Sequence, residues 1–225
     1  MVRRVVAAGT VCTVGAVCTA LVSGCASGSD GDVSADIGKV SELKGGFGPG
    51  FEVTEVAPTG IDPAVLAGQK LPDGIAFDPA GCAQFAAGQS VPPGTEGNMA
   101  AVSAEGEGNR FVVIAVQTSA AIPVIEPGSD CRKVSFAGGA TRGTVEVVDA
   151  PRIEGAETFG VHRVVQTVVA GTPRAGEVYS YSAHFGDFQV IVSANPLVTP
   201  DEPPVPVDTE RARDLLVAGV QAVRG

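Results

Sequence analysis

Met99-Ala-Ala-Val-Ser-Ala-Glu105, then Gly106-Glu107-Gly108-Asn109, then Arg110-Phe-Val-Val-Ile-Ala-Val-Gln-Thr118 is the stretch that decides the fold. Two apolar runs flank a glycine-rich turn, which is the signature of a β-hairpin. Phe111 to Val116 is apolar at every position rather than at every second one, so this strand is expected at the centre of a sheet covered on both faces. A short turn forces antiparallel pairing, and whatever covers the two faces has to come from the flanking sequence.

Working outward toward the C-terminus, residues 142–149 and 159–169 read as two more strands, separated by Pro151 and Gly155. With Gly171 to Ala175 as a loop, a further hairpin places Val165 opposite Tyr181, Thr167 opposite Tyr179 and Val161 opposite Phe185 on a core face, with His162 beside His184 on the other. Gly186-Asp187 turns the chain into a last strand over 188–193. Five prolines between Asn195 and Val207 make that segment an extended crossover. After it Asp208 caps a helix whose Ala212, Leu215, Leu216, Gly219, Val220 and Val223 form one apolar stripe, sized to lie on the sheet.

Toward the N-terminus, Asp62-Pro63 and Asp78-Pro79 each place an N-cap acceptor before a proline and predict two short helices, the second carrying Cys82 and Phe85 and ending near Gly88. Pro92-Pro93-Gly94 closes that region. Residues 51–56 alternate as a strand, and Ile37, Val40 and Leu43 predict a short amphipathic helix over 35–44 that stops at Gly45-Gly46. The expected architecture is α+β: a single, mainly antiparallel sheet of about six strands, flanked by short helices and a C-terminal amphipathic helix, within one domain over 37–225.

The first residues carry a different message. Arg3-Arg4, an uncharged apolar run from Val5 to Leu21, and Val22-Ser23-Gly24-Cys25 describe an export signal over 1–24 that ends in a lipobox. Cys25 is then the acylated first residue of the mature chain, and residues 25–36, rich in Gly, Ser and Asp, form a flexible tether to the membrane. Without the signal the chain keeps 13 basic and 25 acidic side chains, a formal charge of −12. This balance repels nucleic-acid phosphates and anionic headgroups, so membrane attachment falls to the acyl chains. Cys12 and Cys18 leave with the signal, and the remaining pair, Cys82 and Cys131, is expected as a disulfide in an oxidising compartment.

Catalytic motifs are sparse. Gly88-Gln89-Ser90-Val91-Pro92 lacks the last glycine of a nucleophile elbow, and the glycines over 45–50 neither follow a strand nor open a helix. His162 and His184 have no third ligand at a recognised spacing, so no metal and no cofactor are expected. Glu105, Glu107, Glu146 and Asp187 cannot be paired from their spacing as opposed carboxylates.

Phe77-Asp78-Pro79-Ala80 with Cys82, Ala104-Glu105-Gly106-Glu107-Gly108-Asn109-Arg110-Phe111, Gly160-Val161-His162-Arg163 and Ala194-Asn195-Pro196-Leu197 resemble an uncharacterised family of mycobacterial envelope lipoproteins, from about residue 37 to the end. The resemblance implies a location and a fold, not a reaction. More distantly, the order of helices and strands is similar to the extracellular sensor domains of some mycobacterial serine/threonine kinases, which typically hold two disulfides around a cleft where this chain can make one. The functional expectation is a non-catalytic, membrane-anchored extracytoplasmic module for an envelope ligand or protein partner. The alternative is a carrier of an apolar ligand or lipid, which has to keep a cavity of some hundreds of Å³ lined by part of Tyr179, Tyr181, Phe185 and Val165.

Overall fold

The computed structural model describes residues 35–61, 71, 74–88, 95–169, 171–198 and 203–225. The signal and Cys25, most of the tether, the helix expected at Asp62-Pro63 and the Pro92-Pro93-Gly94 stop lie outside the described residues. From Val33 to Gly225 the chain forms one compact unit.

The 99–118 hairpin forms as read. Strands β3 (Gly97–Gly106) and β4 (Asn109–Thr118) pair in register, Gly106 opposite Asn109. The two turn residues between them, Glu107 and Gly108, both have positive φ, the backbone that two-residue hairpins need to match strand twist. Asn109 is buried and ties the turn to the crossover: its Nδ2 donates to the carbonyls of Glu107 and Pro206, and its Oδ1 accepts from the Asp208 amide.

The other strands are β1 (Phe51–Gly60), β2 (Ala76–Asp78), β5 (Lys133–Gly138), β6 (Thr141–Val148), β7 (Glu157–Val169), β8 (Thr172–Phe185) and β9 (Phe188–Pro196). They form one antiparallel sheet in the order β1-β3-β4-β9-β8-β7-β6-β5-β2. Among the described residues the sheet therefore has nine strands rather than about six. Three-residue β2 is too short to carry a period, and β5 buries only Val134 and Phe136 between Lys133, Ser135 and Ala137. β4 lies third from one edge, buried on both faces as its composition requires.

The register of the β7–β8 hairpin departs from expectation. Val169 pairs with Thr172, so the turn is tight and passes through Gly171, and Tyr181 opposes Gly160 instead of Val165. That is a five-residue slip, and an odd slip reverses the facing of one strand against the other. Pro173 can sit inside β8 because β9 pairs with β8 only from Tyr179 to Phe185, which leaves the start of β8 as an edge.

The C-terminal helix, α2 (Thr209–Arg224), follows α1 (Ala83–Ala86) in chain order. Asp208 Oδ1 accepts from the Arg211 amide at 2.9 Å, the cap read from sequence, and the six stripe residues are all buried. Gly219 lets the helix approach closely: a Cβ there would stand 3.0 Å from Val190 Cγ1. Beside α2, Ile37–Gly46 is a 3-10 helix rather than an α-helix. Ile37, Val40 and Leu43 repeat every third residue, the period of a 3-10 turn, and all three are buried. The helix expected after Asp78-Pro79 is a 3-10 turn (Ala80–Cys82) running into α1. It has no side-chain cap, because Asp78 ends β2 and pairs with Ser135. Cys82 is bonded to Cys131, with Cα atoms 5.4 Å apart. No helix among the described residues is long and apolar enough to cross a membrane.

Candidate functional site

Alternation along the strands gives the sheet two unlike faces. One carries Phe111, Val113 and Ala115 of β4, Tyr181 and Ala183 of β8, and Val190, Val192 and Ala194 of β9, all packed under α2 and the 3-10 helix in one core. The opposite face holds two smaller apolar clusters that do not merge. Met99, Ala101, Ile114 and Val116, with Val112 and Ile191, occupy one end. Phe85, Val134, Phe136 and Val145, with Phe159, Val161 and Val165, occupy the other beside the disulfide.

Between these clusters lies a cavity of about 1170 Å³. Its existence follows from the residues at the middle of the sheet. There β8 and β9 present Ser180, Ser182 and Ser193, side chains too small to fill the space that the aliphatic residues on either side enclose. Phe85 stands edge-on to Phe159 at 5.7 Å at one end, and Ile122, Val124 and Ile125, from the segment leading to Cys131, contribute to the walls.

Few charged or titratable groups enter this apolar space. Arg163, on β7 opposite Val145, donates from Nη2 to the Ala86 carbonyl at 3.2 Å, and burial lowers its pKa. It keeps its charge at neutral pH, as a guanidinium does even when displaced from its usual range. His184 lines the cavity too, and burial lowers its pKa to about 4. Gln189 Nε2 lies 3.2 Å from His184 Nε2; an amide N–H donates, so that ring nitrogen accepts and the imidazole is neutral. Arg110, which also lines the cavity, is paired with Glu105 at 2.6 Å.

The structure does not bring the expected histidine pair together. His162 lies on the helix-bearing face, stacked on Tyr179 with ring centroids 4.0 Å apart and joined to Glu177 at 2.8 Å. His184 looks into the cavity on the other face. Glu107 pairs with Arg211, Glu146 with Lys133, and Asp187 stands in the β8–β9 turn. Among the described residues, no group of three His, Cys, Asp or Glu side chains could hold a metal ion. Of the stripe named for a carrier, Val165 and Tyr181 line the cavity, Tyr181 while also packing in the helix-side core, and Tyr179 and Phe185 pack against that core only. Alternation puts Ser180 and Ser182 on the face away from Tyr179 and Tyr181, as the sequence predicts, but their partners are Val161 and Phe159 rather than Gln166 and Val164. The pairing of β8 with β9 is what brings the serines of the two strands together.

A family model for a domain of unknown function, DUF5642, matches residues 36–224. The chain belongs to this family. The DUF5642 domain is similar to the crystal structure of an uncharacterised protein from Mycobacterium smegmatis, the Rv0999 ortholog: 57% identity and a TM-score of 0.81, over 85% of this chain and 98% of that one. It is also matched, at 11% identity and a TM-score of 0.35, by the extracellular domain of PknH from Mycobacterium tuberculosis, over 84% of this chain and 93% of that one. No curated protein sequence matches the chain.

Proposed function

We propose that this DUF5642 domain is a non-catalytic binding module, held at the extracytoplasmic face of the membrane by acylated Cys25, whose ligand is an apolar or amphipathic molecule of the envelope. The cavity carries the reading. At about 1170 Å³ it exceeds the ~300–1,000 Å³ typical of small-molecule sites, and most of its lining surface is apolar. Filling it removes that apolar surface from water at about 25 cal/mol per Å². Arg163 and the neutral His184–Gln189 pair supply the few polar contacts that orient a ligand, and a guanidinium among aliphatic residues suits a head group that accepts hydrogen bonds or carries negative charge. The lipobox and the disulfide support export, and the acidic surface leaves attachment to acyl chains.

One variant tests both halves. Cys25→Ala, expressed in the native host, is expected to lose fatty-acid label, to be recovered without detergent, and to retain a lipid seen by native mass spectrometry. Label persisting on the variant would overturn the anchor, and protein recovered empty would overturn the cavity reading. Ser182→Phe and Ile191→Trp, which fill the cavity from its floor, are expected to lose the lipid while keeping the parent's far-UV circular dichroism.

A further inference from the structure

The helix-bearing face has a second recess, of about 430 Å³, where the start of α2 overhangs β6 and β8. It is lined by Arg132, Arg213, Thr209, Tyr179 and Tyr181, with Val147, Val148 and Asp149 at its β6 side. Neither guanidinium has an ion pair or a side-chain hydrogen bond among the described residues. Elsewhere on the domain Arg110 is engaged with Glu105, Arg142 with Gln166, Arg211 with Asp208 and Glu107, and Arg224 with the carbonyls of Glu154 and Gly155, whereas Arg152 and Arg174 lie outside this recess. On a chain of net charge −10, Arg132 and Arg213 are brought into one recess, and two guanidinia facing the same space favour an anion.

Tyr181 is the second observation. It is 2% exposed, and its ring packs against Gly160, where a Cβ would stand 3.0 Å from Cδ1. The ring is held by the core, it lines the recess, and its hydroxyl has no hydrogen-bond partner among the described residues. Burial raises the pKa of both tyrosines, and Glu177 and Glu146 add to the effect at Tyr179, so both remain O–H donors at neutral pH. Thr209 and Arg213 lie one turn apart on α2, which puts the guanidinium beside the positive end of that helix. Asp149, the one carboxylate in the lining, is exposed, as is Arg132, while Arg213 is half-buried.

We propose that this recess is a second ligand site, distinct from the apolar cavity, that takes a phosphate group through Arg132, Arg213 and the hydroxyl of Tyr181. Planar guanidinia donate paired hydrogen bonds to phosphate oxygens, and two positive groups with a hydroxyl outnumber the one carboxylate. The phosphate comes either free in solution or as the head of a phospholipid; the donors required are the same.

The chain carries its own reporter. It has no tryptophan, and its two tyrosines both line this recess. Titration of the full chain with inorganic phosphate at constant ionic strength is therefore expected to give a saturable change in tyrosine emission that chloride does not produce. Arg213→Gln and Arg132→Gln are each expected to weaken it about tenfold, with Arg213→Lys between Gln and wild type. Tyr181→Phe keeps the ring in the core, and Tyr179 then reports a weakened titration. Glycerophosphoinositol in place of phosphate separates the sources: tighter binding assigns a lipid head group, weaker binding a free phosphate. No saturation by either probe, or unchanged affinity in both Gln variants, overturns the site.

Discussion

His184 shows how one side chain links the cavity to stability. Its unfolded pKa is near 6.5, and burial brings the folded value down to about 4. Above pH 6.5 both states are neutral at this position and it has no effect. As pH falls from 6.5 toward 4 the unfolded chain takes up a proton that the folded chain refuses, so stability declines across that window. The denaturation midpoint, followed by circular dichroism, is expected to drop between pH 6.5 and 4. His184→Gln, which removes the titration, should flatten the decline, and an unchanged slope in that variant would separate the effect from His184. None of this was readable from the sequence. With a loop over Gly171 to Ala175 the sequence puts His184 and His162 on one face, and the tight turn at Gly171 puts them on opposite faces.

At the level of elements, legibility followed the strength of the local period. α2 repeats its apolar residues over three turns and has a capping Asp208, and both its position and its buried stripe were read correctly. The β3–β4 hairpin was equally clear, since Glu107-Gly108 supplies the backbone a two-residue turn demands. The β7–β8 register failed for a stated reason: Pro173 and Gly176 look like loop residues, yet they pair with Val168 and Val165 on a stretch that β9 does not reach. The same reading of α2 predicts how its contributions divide. Asp208→Ala removes one capped amide and should cost about 1 kcal/mol, whereas Leu216→Ala, at a fully buried position under the sheet, should cost about 2–5 kcal/mol. Urea denaturation of the two variants measures both. Equal losses would mean that the stripe does not pack as tightly as its burial indicates.

Over the whole molecule, the two faces of the sheet are built on opposite terms. Apart from the recess under the start of α2, the helix side is filled by large side chains, among them Phe111, Tyr181 and Leu216, whereas the far side meets in serines and stays hollow. A hollow face needs walls held by something other than close packing, and the disulfide is placed to do this. Cys82 precedes α1, whose Phe85 closes one end of the cavity; Cys131 ends the segment that brings Ile122, Val124 and Ile125 to its walls. Closing a loop between residues 49 apart stabilises the fold by about 4 kcal/mol in the chain-entropy model. The Cys82→Ser, Cys131→Ser double variant is therefore expected to lose about that much in chemical denaturation. Its native state should also bind a fluorescent fatty-acid probe more weakly, under conditions where circular dichroism shows it folded. The two measurements are independent: a loss of stability with undiminished probe binding would show that the bridge staples the sheet edge without shaping the cavity, and the link drawn here between bridge and site would fail.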